Sequence, residues 1–119
     1  MKAQNKSKET LELENVMAYC YGTENYYRYM NSRFMYTDGV KTFAEKAGAY
    51  WFIDLCFANL VTLPEDFYSI KLIVKNEKAT FVINGESTVA RKDISYTDCP
   101  DGEWLFYYSN NVLLWNGEY

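Results

Sequence analysis

A chain of 119 residues, 49% hydrophobic and 24% charged, can build one packed core and is too apolar for a disordered polymer. Its net charge of -4 arises in the C-terminal half, where residues 64–119 carry five basic and nine acidic side chains. No positive stripe is visible, which argues against direct nucleic-acid binding, and the absence of histidine removes the commonest neutral-pH base and zinc ligand.

Residues 1–8 offer little to anchor them and are expected to fray, with no apolar run of the kind a secretion signal needs. Leu11, Leu13, Val16, Met17 and Cys20 then make a helical stripe over residues 9–21, capped by Ser7 or Thr10 and ended by Gly22. Gly22-Thr23-Glu24-Asn25 reads as a turn, followed by a brief helical turn across Tyr26 to Tyr29.

The clearest helix start is Thr37-Asp38-Gly39, a hydroxyl cap with a carboxylate in the first turn. Val40, Phe43, Ala44, Ala47 and Trp51 follow at helical spacing, and Gly48 predicts a break between residues 46 and 49. Beyond it the chain is apolar nearly all round as far as Pro64, so this segment is expected to be covered on more than one side. Asp54 interrupts it and it is short for a bilayer, so no membrane span is expected.

After Pro64 the period changes to two. Tyr68, Ile70, Leu72 and Val74 alternate with mostly polar neighbours, as in a strand with one buried face. Asn76-Glu77 turns the chain into residues 79–83, and Asn84-Gly85 is the strongest local hairpin signal, with positive φ expected at both residues. A short strand at 87–91 and a final hairpin, 104–108 with 112–115, complete the reading. The predicted fold class is α+β: one domain, N-terminal helices packed on a four- to five-stranded antiparallel meander.

Asp54 needs a partner if it is buried, and Arg28, Arg33 and Lys41 are the candidates. Arg28 is preferred, because its flanking tyrosines would shield a planar two-bond pair. The pair orients the tyrosine-rich segment or, alternatively, lines a pocket with Asp38 and Lys41 for a small ligand or acid/base chemistry. Capping accounts for Asp38 at the helix start without any phosphate cradle. Asp93, Asp98, Asp101 and Glu103 form an acidic patch without calcium-loop spacing; a second alternative makes it a mimic of nucleic acid that blocks a basic protein. Neither a metal nor a cofactor is implied. Cys20, Cys56 and Cys99 are odd in number and lack a C-x-x-C, which suits the cytoplasm.

The twelve tyrosines, seven phenylalanines and three tryptophans point to a protein interface. Tyr26, Tyr27, Trp104, Phe106, Tyr108 and Trp115 are its candidate residues. The final hairpin is apolar on both sides, so either the rest of the chain wraps it or a homodimer covers its outer aromatic face. The expected function is therefore a non-enzymatic interaction or regulatory role with an unidentified protein partner.

Three segments carry a resemblance: Gly22-Thr23-Glu24-Asn25-Tyr26-Tyr27-Arg28, Tyr36-Thr37-Asp38-Gly39-Val40-Lys41, and Gly48-Ala49-Tyr50-Trp51-Phe52-Ile53-Asp54. Together with Ile94-Ser95-Tyr96-Thr97-Asp98, the chain resembles a family of small uncharacterised proteins from bacteria and their phages or mobile elements, over about residues 15–119. The resemblance implies no activity, cofactor or catalytic residue. The family pattern has a histidine where Tyr29 stands here.

Overall fold

The computed structural model describes residues 6–87 and 89–119. Of the residues expected to fray, 1–5 lie outside the described residues, whereas Ser7 already caps the first helix, accepting from Thr10 N. Among the described residues there are three α-helices, α1 (Lys8–Ala18), α2 (Asp38–Ala47) and α3 (Tyr50–Leu60), and a single 3-10 turn at Asn116–Glu118. The break expected between α2 and α3 is present, with Gly48 in the left-handed conformation closing α2. No helix among the described residues is long and apolar enough to cross a membrane.

The architecture is α+β, but the sheet is larger than expected and mixed. It holds β1 (Tyr26–Arg28), β2 (Met35–Thr37), β3 (Phe67–Lys75), β4 (Lys78–Asn84), β5 (Val89–Ile94), β6 (Gly102–Ser109) and β7 (Val112–Trp115), in the order β1-β2-β7-β6-β3-β4-β5. Among the described residues only β2 with β7 is parallel. The segment expected to turn helically at Tyr26–Tyr29 is instead an edge hairpin, β1 with β2. Three-residue strands are too short to show a period; here the long-range pairing of Tyr36 with Leu113 makes them.

Two expected turns are present and one is not. Asn76-Glu77 and Asn110-Asn111 make two-residue hairpins, each residue at positive φ, whereas Asn84, expected in a turn, ends β4 in extended backbone. Gly85 serves close approach rather than the expected turn. A Cβ there would lie 2.5 Å from Tyr68 Cε1 and 2.8 Å from both carboxylate oxygens of Glu65. Glu65 in turn accepts from Glu86 N at 2.7 Å.

All three helices lie on one face of the sheet. Phe43 of α2 and Phe52 of α3 meet Phe106 with ring centroids 5.0 and 4.7 Å apart, and Phe52 also meets Phe81 of β4. Trp115 Nε1 donates to Met17 O at 3.2 Å, tying β7 to α1. Leu13, Val40, Phe57, Ile70, Leu72 and Leu113 complete this core.

Candidate functional site

Trp104, Phe106 and Tyr108 were candidates for the outer interface, yet register puts all three on the helix-covered face, where they are buried. Trp115 sits beside Phe106 on the same face. Trp104 and Phe106 are core because Phe43 and Phe52 pack on them, with Trp115 partly buried beside them. What the final hairpin shows on its other side is Leu105, Tyr107, Val112 and Leu114, all half-buried. The expected wrapping is therefore one-sided.

That open face can be read across the strands from the pairing. One row runs Leu114, Tyr107, Ser69, Asn84, Val89; the next runs Leu105, Lys71, Val82, Arg91; a third runs Glu103, Ile73, Thr80, Asp93. The face is apolar over β7 and β6, at the middle of the sheet, and charged toward the β5 edge. Tyr119 folds over the apolar part, its ring 4.6 Å from Tyr107 and 5.6 Å from Phe67, although it stays 71% exposed. Tyr26 opens on the same side of β1 and is 53% exposed, whereas Tyr27 points back toward α2 and stacks on Tyr36.

The start of α2 carries the densest polar cluster. Asp38 turns away from its own helix and accepts from Glu24 N (3.0 Å), Asn25 N (2.9 Å) and the Tyr27 hydroxyl (2.9 Å). These bonds, the Asn25 amide foremost, hold its carboxyl below the ordinary value. The helix-end niche is filled instead by Glu118, at the far end of the chain. Its carboxylate accepts from Gly39 N (3.0 Å), Trp115 N (3.0 Å), Thr37 Oγ1 (2.5 Å) and Thr23 Oγ1 (2.8 Å). Gly39 is required by this contact, since a Cβ would lie 2.5 Å from Glu118 Oε1. Sequence reading missed Glu118. Its spacing after Trp115 suits a capping box, but nothing local says that the acceptor also serves a helix start 79 residues earlier.

The ion pair expected between Arg28 and Asp54 is not formed. Asp54 is exposed and accepts from the Tyr29 hydroxyl at 2.7 Å, while Arg28 Nη1 donates to Ser32 O at 2.8 Å. An exposed carboxylate has no desolvation cost to offset, which removes the reason for the pair. The Asp54 bond, with burial second, pushes the Tyr29 hydroxyl up to about 12. Lys41 pairs with Glu45 (3.0 Å) and lies over the Tyr27 ring. Asp38 and Lys41 thus meet the same tyrosine, whereas Arg28 and Asp54 serve other contacts.

The acidic residues disperse as well. Asp93 faces Arg91 and Glu103 faces Lys71, each at 3.8 Å; Asp98 accepts from the Tyr96 hydroxyl, and Asp101 Oδ1 from Asn76 N at 3.1 Å. Two open clefts border α1. One, of about 530 Å³, runs between Ser7, Thr10, Lys75 and Glu103. The other, of about 540 Å³, runs between Glu12, Val16, Lys46 and Asp98. Neither is lined by Arg28, Asp38, Lys41 or Asp54. Among the described residues no cluster of three or more cysteines and carboxylates is placed to hold a metal ion.

The most site-like surface is therefore the open sheet face with its central aromatic patch. No curated protein and no solved structure matches the chain. A family model does match, over residues 11–119, and on that match the chain belongs to DUF6876, a family of unknown function.

Proposed function

We propose that the chain is a non-enzymatic interaction or regulatory protein, acting in the cytoplasm of a bacterium as a product of a phage or mobile element, and that its working surface is the open face of the sheet. One observation carries the reading: the middle of the face holds an apolar, aromatic patch, Leu105, Tyr107, Leu114, Phe67 and Tyr119, on which no helix among the described residues packs. Half-buried tyrosine and leucine at the centre with charges at the margin is the composition of a protein contact. The genomic setting rests on the sequence resemblance, and the compartment on three free thiols, of which Cys56 and Cys99 are buried.

The partner is a protein with an apolar anchor that packs on Tyr107 and Leu114. Affinity capture compares the parent chain with a Tyr107→Asp/Leu114→Asp variant of unchanged circular dichroism, and each candidate is then titrated as a purified protein. The reading expects a partner that binds the parent and is weakened at least tenfold by the variant. Equal binding to both chains would overturn it.

A further inference from the structure

The two edges of the sheet are unequal. The β1 edge is three residues long and runs into a hairpin loop, whereas β5 is six residues long, mostly exposed, and has no strand beyond it among the described residues. An exposed edge of that length presents a row of backbone donors and acceptors ready for another strand. We infer that two copies of this chain pair edge to edge through antiparallel β5 strands, in the register that sets Arg91 of each copy opposite Asp93 of the other.

The register follows from symmetry. A two-fold axis joining adjacent antiparallel strands stands perpendicular to the sheet, so it keeps each face on its own side and is centred on one residue. Val89, Arg91 and Asp93 lie on the open face, while Ala90, Lys92 and Ile94 lie on the helix side, opposite Ile83, Phe81 and Ala79. Centring on Arg91, Asp93 or Lys92 puts like charges on the axis in every case, but centring on Arg91 or Asp93 also leaves both residues without a cross-strand partner of opposite sign. Centring on Lys92 gives two Arg91–Asp93 pairs on the open face and two Ala90–Ile94 pairs on the helix side. Opposite-charge pairs directly across an antiparallel ladder attract, and their Cβ spacing suits this pair.

Little holds these residues back. Arg91 and Asp93 meet each other at 3.8 Å, with side chains 65% and 77% exposed, and Asp93 also accepts a long bond from Thr80 Oγ1 at 3.4 Å, which pairing would have to keep or give up. Lys92 on the axis opposes its own copy, a like-charge contact that works against tight or indiscriminate pairing. All helices of the pair stay on one side. The two open faces then join into one surface that carries two aromatic patches, one from each copy, which deepens the interaction reading above; the pairing itself stands on the edge alone.

Light scattering coupled to gel filtration, over a dilution series, reads the mass against 14.0 kDa for one chain. A species of twice that mass is expected at high concentration. Arg91→Asp, which sets acid against acid twice, should raise the dissociation constant about tenfold or more. The exchange Arg91→Asp/Asp93→Arg should restore it, and Lys92→Thr should tighten it. Circular dichroism on each variant separates loss of pairing from loss of fold. A single-chain mass at every concentration overturns the inference. So does a dimer abolished by Tyr107→Asp and indifferent to Arg91→Asp, which would place the contact on the open face. A dimer that survives Tyr107→Asp/Leu114→Asp while partner binding fails would support both readings separately.

Discussion

Strand β6 shows two different chemistries one residue apart. Trp104, Phe106 and Tyr108 are sealed beneath α2 and α3, while Leu105 and Tyr107, between them, stay half-buried on the open face. Both sets are aromatic or aliphatic, so composition does not separate them. Burial in a sheet is decided by what packs on the face. Here Phe43 and Phe52 descend from the helices onto one side.

The sharpest way to test that contrast is to truncate neighbours. Phe106 is fully buried in contact with Phe43, Phe52 and Trp115, so Phe106→Ala should cost about 3–5 kcal/mol, through lost transfer energy and a residual cavity. Tyr107→Ser, next to it on the same strand, should cost about 1 kcal/mol or less, since it loses only surface stacking on Phe67 and Tyr119. Urea unfolding of both variants beside the parent measures this. Equal costs would show that something covers the open face.

The chain end sharpens the comparison, because consecutive residues serve opposite faces. Glu118 sits at the start of α2 and Tyr119 lies over Tyr107. Glu118→Ala leaves Gly39 N, Trp115 N and two threonine hydroxyls without their acceptor, and should cost about 1.5–3 kcal/mol by thermal or urea unfolding. Glu118→Gln keeps the shape and part of the bonding, so its cost should be clearly smaller. A neutral Glu118→Ala would mean that water satisfies the helix start equally well.

What was readable in the sequence was what is local. The Thr37 cap, the Gly48 break and the strand alternation of residues 68–74 all rest on neighbours within a turn or two, and each is present. What was not readable depends on distant partners. β2 exists because Met35 and Tyr36 meet Val112 and Leu113, and Glu118 is satisfied by residues of the first third of the chain. Asn84-Gly85 had the right residues for a turn, but Tyr68 and Glu65 needed the space a side chain would take. Of the candidate site, the aromatic character of the final hairpin was legible and its sidedness was not. Both faces of β6 read as apolar until the helices choose one.

A smaller effect is expected at Asp54. A buried ion pair there would make its loss costly. As an exposed acceptor for one tyrosine hydroxyl, Asp54→Ala should change stability by within about 1 kcal/mol. The local sign is optical: Tyr29 should titrate at a lower pH once its acceptor is gone, seen by ultraviolet difference absorbance. A cost several times larger would show that the Tyr29 contact anchors the β1–β2 hairpin to α3.

The smallest effect concerns the helix side of the edge strand β1, whose two tyrosines repeat the contrast of β6: Tyr26 opens outward and Tyr27 is held by Asp38. Asp38 has a carboxyl lowered from 3.8, first by the Asn25 amide and also by the Tyr27 hydroxyl and the Glu24 amide. A lowered folded-state value means that its stabilising contribution is fully present above the ordinary value and is lost as pH falls through the folded one. Acidification below about 4 should therefore release the turn at residues 24–25 before the rest of the molecule. Amide shifts of Glu24 and Asn25, followed by nuclear magnetic resonance, should move together with a midpoint below 3.8. The amides at the centre of β3 and β6, away from the exposed Lys71–Glu103 pair, should stay in place over the same range, because their ladder is backbone to backbone. In Asp38→Asn the step should vanish. A midpoint at or above the ordinary value would show that the three bonds to Asp38 do not persist in solution, and that β1 is held by its pairing with β2 alone.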